Sequence, residues 1–268
     1  MSRITKQPRY SQNFLINQGV CRRIIELAAL MPDDRVVEIG PGRGALTALL
    51  LERAYELWLI EIDPALIEPL RARFGPRDRL HLMQADALRF PFEQIPAPFK
   101  VVANLPYAVA SPLLIRLLEL RGAISFMVLM FQREVAERLT AAPGSRRYGL
   151  LSILAQLYAD VALQMIVSPG SFRPPPKVES AVVTVTPRPR PRVAIEDETV
   201  FLRLVRQGFA LRRKTLGRSL RHLSGISMTA ERAAALLREA GIDPMRRPET
   251  LSIEEWARLS RVIAPKIQ

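Results

Sequence analysis

Asn104-Leu105-Pro106-Tyr107 puts an amide, two backbone carbonyls that a proline holds apart, and an aromatic ring within four residues. Such a set can grip a planar heterocycle that carries an exocyclic amino group. The amide oxygen and a carbonyl accept the amino hydrogens while the ring stacks on tyrosine. Taken alone, the same four residues also read as an ordinary turn, since Asn and Pro are common in loops. The choice depends on whether the chain supplies a second reactant.

A second set lies upstream. Gly40-Pro41-Gly42-Arg43-Gly44 follows the apolar run Arg35-Val36-Val37-Glu38-Ile39 and precedes a helix over Ala45 to Leu51. Strand, glycine turn and helix bring a backbone close to a ligand and aim a helix N-terminus at it. About twenty residues on, the apolar strand Leu57-Trp58-Leu59-Ile60-Glu61-Ile62-Asp63 ends in acids, where ribose hydroxyls are commonly chelated. A third strand, Leu80 to Gln84, ends in Ala85-Asp86-Ala87. Asp86 suits either a turn cap or an acceptor for an adenine amino group, and its place after the third strand favours the latter. Together these residues point to an adenosine-containing cofactor. The glycine run fits a nicotinamide enzyme as well as a methyltransferase, because Ala45 takes the last place of G-x-G-x-x-A.

The elements needed to position these groups are legible. Four apolar strands, the last of them Lys100-Val101-Val102-Ala103, each run into polar candidates, as expected of a site at the carboxyl ends of a parallel sheet. Helices are expected before Pro32, after Pro64, from Leu113 to Leu120 and over Gln132 to Leu139. Ile124 to Phe131 reads as a strand. Val161 to Val167 and Ala181 to Val185 read as hairpin-like strands at the sheet edge. Between the last two, Phe172-Arg173-Pro174-Pro175-Pro176-Lys177-Val178 is a stiff extended segment. Phe172 there is either a second aromatic wall facing Tyr107 or a core residue. Thr186-Pro187-Arg188-Pro189-Arg190-Pro191-Arg192 reads as an extended linker. This gives an α/β domain over 1–187 and a small all-helical one over 188–268. The second carries a dense cationic run, Arg212, Arg213, Lys214, Arg218 and Arg221, suited to phosphate contact.

Composition narrows the classes. A net charge of +13 over 268 residues favours a polyanionic partner, with nucleic acid ahead of membrane. No run is apolar enough to span a bilayer, and Met1 to Pro8 has no apolar signal-peptide core. One cysteine, Cys21, excludes an internal disulfide framework and suits a reducing, cytoplasmic setting. With only His81 and His222 beside it, neither a histidine- or cysteine-based metal site nor a Cys–His nucleophile is expected.

In this order, Gln12-Asn13-Phe14-Leu15, Val37-Glu38-Ile39-Gly40-Pro41-Gly42, Ile60-Glu61-Ile62-Asp63, Asp86-Ala87, Asn104-Leu105-Pro106-Tyr107, Phe172 to Val178 and Arg212-Arg213-Lys214-Thr215 resemble the ribosomal RNA adenine N6-dimethyltransferase family, nearest its small-subunit branch. One departure is Ser11, where that family usually has glycine. The resemblance implies a Rossmann-like class I methyltransferase sheet binding S-adenosylmethionine. It would put Asn13 and Leu15 over the cofactor, Gly40 beside its methionine part, Glu61 on the ribose and Asp86 at the adenine. Asn104 would lie near the methyl, with Tyr107 and Phe172 about the target base. The implied substrate is a pair of adjacent adenosines in a hairpin loop near the 3′ end of small-subunit rRNA, presented by a small-subunit precursor to a monomeric enzyme. Rival readings are a large-subunit rRNA methyltransferase of the macrolide-resistance type, a non-catalytic nucleic-acid-binding assembly or transcription factor, and a nicotinamide dehydrogenase.

The chemistry of the four-residue set fits this independently. An adenine N6 lone pair is delocalised into the ring. Hydrogen bonds from its N–H groups to the Asn104 side-chain oxygen and the Leu105 carbonyl favour a pyramidal nitrogen, and in-line transfer then needs mostly positioning. No general base is needed, which agrees with motifs that lack histidine.

Overall fold

A computed structural model describes residues 13–211, 214–222 and 228–266. The chain divides into two compact units, Met1–Ala136 with Val161–Pro187, and Glu137–Asp160 with Arg188–Gln268. The second unit thus takes in residues 137–160, which the single boundary at residue 187 assigned to the first. Burial explains why: Tyr148, Ile153 and Leu157 are core residues, and the Tyr148 ring meets that of Phe209 edge-on at 6.3 Å.

The strands are β1 (Phe14–Leu15), β2 (Arg35–Ile39), β3 (Glu56–Glu61), β4 (Leu80–Gln84), β5 (Phe99–Asn104), β6 (Ile124–Gln132), β7 (Ala159–Val167), β8 (Phe172–Arg173) and β9 (Ser180–Pro187). Seven form one sheet in the order β4-β3-β2-β5-β6-β9-β7. From β4 to β6 the pairs are parallel, and β9 lies antiparallel to β6. The expectation of two edge strands holds for β7 alone. β9 sits inside the sheet, and its first six residues are buried. A continuous run such as Ala181-Val182-Val183 is stable where both faces are covered, which an edge position need not supply. Strand order reverses between β2 and β5, opening a crevice at their carboxyl ends.

The helices α1 (Gln18–Leu27), α2 (Ala45–Leu50), α3 (Pro64–Phe74), α4 (Ala110–Glu119) and α5 (Arg133–Leu139) follow their expected signals. Asn17 caps α1 by accepting from the Gly19 and Val20 amides, and Asp63 caps α3 by accepting from Ala65. Gly44 enters α2 at φ +77°, where a Cβ would lie 2.5 Å from the Phe74 ring. Only glycine fits that entry.

The second unit contains α6 (Leu150–Tyr158), α7 (Glu198–Ala210), α8 (Leu216–Ser219), α9 (Ala230–Glu239) and α10 (Ile253–Ile263). Val200, Phe201, Leu204 and Val205 give α7 its buried face, and Phe209 approaches the buried Trp256 of α10 at 6.1 Å. The capping box of α10 forms as its sequence dictates: Ser252 Oγ accepts from the Glu255 amide, and Glu255 Oε2 accepts from the Ser252 amide. Among the described residues no helix is long and apolar enough to cross a membrane.

Candidate active site

The crevice holds a cavity of about 830 Å³ lined from the ends of β2 to β6, the Asn13–Leu15 segment and residues 175–178. Its acidic part rests on β2, β3 and β4. Glu61, 3% exposed at the end of β3, accepts from the Gly42 amide through Oε2 at 3.2 Å and from the Asp63 amide through Oε1 at 2.9 Å. One carboxylate therefore braces both the glycine turn and the start of α3. Burial raises its affinity for a proton, opposed by those amides. Asp86 accepts from the Leu88 amide through Oδ1 at 2.9 Å and also lines the cavity, so the turn-cap reading and the ligand-facing reading coexist.

Glu38 belongs to the same wall and was not singled out from sequence. It is 1% exposed, and its Oε2 accepts from Thr47 Oγ1 at 2.6 Å. Burial, with the Glu61 carboxylate adding to it, pushes its carboxyl from the ordinary 4.5 up to about 8 against the Thr47 hydrogen bond. The available signal was a lone acid inside an otherwise apolar strand.

The opposite part is built around Asn104–Tyr107. The Leu105 amide donates to the Met130 carbonyl at 3.2 Å, which carries the turn off the end of β5 alongside β6. Asn104 Nδ2 donates to the Asn13 carbonyl at 3.3 Å, while its Oδ1 has no hydrogen-bond partner among the described residues. Tyr107 is half-buried on the cavity wall, and its hydroxyl lies 2.6 Å from Ser180 Oγ. Burial pushes the phenol pKa up.

The Asn13–Leu15 segment crosses this region through antiparallel pairing of β1 with β8, Phe14 opposite Arg173 and Leu15 opposite Phe172. The Arg43 guanidinium stands 4.6 Å over the Phe14 ring. A Cβ on Gly42, at φ +59°, would come within 3.0 Å of that ring. The glycine turn is thus shaped to let the N-terminal segment lie against it.

Asn13, Leu15, Gly40, Glu61, Asp86, Asn104, Leu105 and Tyr107 all line one cavity. Phe172 does not, and of the two readings open for it the structure shows the core one. It is 3% exposed and packs in the core with Leu15, Val167 and Val182. Burying such a ring is worth about 1.5–3 kcal/mol, and its pairing with Leu15 holds it on the core side. The residues of that segment that reach the cavity are Pro175, Pro176, Lys177 and Val178. Gln132, at the end of β6, also lines it. Lys214, Arg218 and Arg221 are exposed on the second unit; Arg212, Arg213 and Ser11 lie outside the described residues.

The donor set fits S-adenosylmethionine. The acids Glu61 and Asp86, with the buried Glu38 carboxyl behind them, suit a molecule with ammonium, sulfonium and ribose hydroxyl groups. Ile62, 38% exposed on the same wall, offers an apolar face to a flat ring.

A parallel sheet with one antiparallel strand next to its last position, and a cofactor-sized cavity at the strand ends, define a Rossmann-like class I methyltransferase. A family model described as ribosomal RNA adenine dimethylase matches residues 3–265. A Geobacter metallireducens protein named ribosomal RNA small subunit methyltransferase A is 44% identical over 257 residues, 94% of this chain and 93% of that protein. Among solved structures, a dimethyladenosine transferase from Plasmodium falciparum superposes with a TM-score of 0.79 at 28% identity, covering 94% of this chain and 98% of that one. The 23S rRNA methyltransferase ErmE gives 0.72 at 27% identity, covering 94% and 100%. The chain belongs to the ribosomal RNA adenine dimethylase family. It is an S-adenosylmethionine-dependent methyltransferase that acts on rRNA adenine.

Proposed function

We propose that this enzyme dimethylates N6 of two adjacent adenosines in a hairpin loop near the 3′ end of small-subunit rRNA, as a step in building the small subunit. The small-subunit name of the relative sharing 44% of its residues supports that target over the large subunit. The observation that carries the chemistry is the state of Asn104. Its Nδ2 is committed to the Asn13 carbonyl, which leaves Oδ1 as an acceptor beside Tyr107 on the cavity wall. Asn104 Oδ1 and the Leu105 carbonyl accept from the N6 amino group and turn its lone pair out of conjugation. Tyr107 provides the face on which the base stacks. A loop target suits this, because an unpaired base can be splayed out into the cavity.

S-adenosylmethionine, when bound, supplies a methyl group on a cationic sulfur. Glu61 would hold the ribose hydroxyls, Asp86 the adenine amino group, and Gly40 would leave room beside the methionine part. Asn13 and Leu15 would cover them. The residues surrounding N6 then act by orientation, which is worth roughly 7–11 kcal/mol when reacting groups are well aligned. No cavity residue has to act as base, since the product proton can leave to water. The exposed Lys214, Arg218 and Arg221, with Arg212 and Arg213 of the same run, would take the RNA phosphates. We place the enzyme in the cytoplasm as a monomer acting on a small-subunit precursor.

The test is incubation with labelled S-adenosylmethionine and an equimolar mixture of unmodified small and large ribosomal subunits, followed by mapping of the methylated bases. Label on two adjacent adenosines of small-subunit rRNA is expected. Label confined to large-subunit rRNA would reject the small-subunit target.

A further inference from the structure

Ser180 is the first residue of β9, fully buried, and opposite Gln132 at the end of β6. Its hydroxyl lies 2.6 Å from the Tyr107 phenol across 73 residues of chain. It forms no part of the cavity wall, whereas Tyr107 does. The tyrosine is therefore held at both ends, by the turn at its backbone and by a buried serine at its hydroxyl. A tyrosine ring tethered only at Cβ is free to rotate about two side-chain torsions. A hydrogen bond at the far end removes that freedom, and breaking it would leave a buried hydroxyl without a partner. Among the described residues, this is the hydrogen bond that reaches the far end of the Tyr107 ring.

We infer that Ser180 is a positioning residue for methyl transfer, locking the Tyr107 ring in the plane that stacks the target adenine so that its amino group reaches Asn104 and Leu105. The inference rests on the reading of Tyr107 as the base-stacking wall. Ser180 neither touches substrate nor exchanges a proton with it, and its effect passes entirely through the phenol. It also gives the inserted strand a role in the site, because β9 brings the buried serine to the hydroxyl of a cavity-lining tyrosine.

The test compares full-length Ser180→Ala, Tyr107→Phe and the double variant, using S-adenosylmethionine and unmodified small subunits. Each single change is expected to lower kcat about three- to tenfold, the range one net hydrogen bond supports, with cofactor affinity unchanged. The double variant is expected to be no slower than Tyr107→Phe, because both changes remove the same bond. Losses that multiply in the double variant would overturn the inference. So would a Ser180→Ala enzyme of wild-type rate, or one whose cofactor affinity falls as far as its turnover. Tyr107→Phe breaks the same bond while keeping the serine side chain in place, so a wild-type rate there overturns the inference even if Ser180→Ala fails to fold. Tyr107→Ala separates the parent reading. If it keeps full transfer, the base-wall reading falls, whereas an inactive Tyr107→Ala beside a wild-type Tyr107→Phe removes only the role of Ser180.

Discussion

The two halves of the active site are held together in different ways. On the cofactor side the polar contacts are short in sequence: Asp63 to Glu61 and Leu88 to Asp86 span two residues each, and Gly42 to Glu61 spans 19. On the base side the corresponding bonds span 73 residues from Tyr107 to Ser180 and 91 from Asn104 to Asn13. The cofactor half can therefore be assembled within neighbouring strand–turn–helix units. The base half exists only once the N-terminal segment, the turn after β5 and the inserted β9 have come together. A site divided in this way can keep its cofactor grip while its alignment of the second reactant is lost.

Substitutions on the two sides should separate accordingly. Asn104→Ala removes the unpartnered acceptor and the bond to Asn13 together. It is expected to lower kcat by roughly a thousandfold or more, about 4 kcal/mol, with RNA and cofactor affinities preserved in binding assays. Turnover within tenfold of wild type would show that this side does not perform the alignment. Glu61→Gln should act in the other direction, weakening S-adenosylmethionine by about tenfold in calorimetric titration while RNA affinity stays constant. Equal losses for both ligands would erase the division between the halves.

The third prediction concerns Glu38, beneath the cofactor half, and is read in stability rather than in turnover. Its carboxyl is near 4.5 when unfolded and about 8 when folded, so between these values the folded state binds more protons than the unfolded one. Its contribution to stability is complete below pH 4.5 and is lost as pH rises towards 8. Wild type should lose up to about 1.4 kcal/mol per pH unit through this window, and Glu38→Gln should not. Urea unfolding at a series of pH values checks this. Parallel curves would mean that Glu38 titrates normally.

The same division governs what could be read in the residues. The strands ending at Ile39, Glu61 and Gln84 were legible because apolar runs bounded by Gly, Asp and Pro have strong local signatures. Asn104-Leu105-Pro106-Tyr107 was legible as a set of groups, though not as to what holds them. Phe172 was left open between wall and core because an aromatic two residues before three prolines carries no local mark of which side it faces. Its pairing with Leu15, 157 positions away by the register, settles that. Residues 137–160 run from the end of α5 through a loop into the largely buried α6, and nothing local in them says which unit they will join.

By itself, the sequence determined the order of strands and helices, the glycine turn that admits a ligand, the acids at the strand ends, and the amide, carbonyls and ring that suit an amino-bearing base. Each depends on interactions within a few residues or one β-α-β unit. The tertiary structure alone decided that β9 inserts beside β6 and brings Ser180 to Tyr107, that Asn13 takes one end of the Asn104 amide, and that Phe172 belongs to the core. These outcomes depend on which distant segments meet. That is set by the total apolar surface buried and the backbone pairing completed when the sheet closes, and no local pattern encodes it.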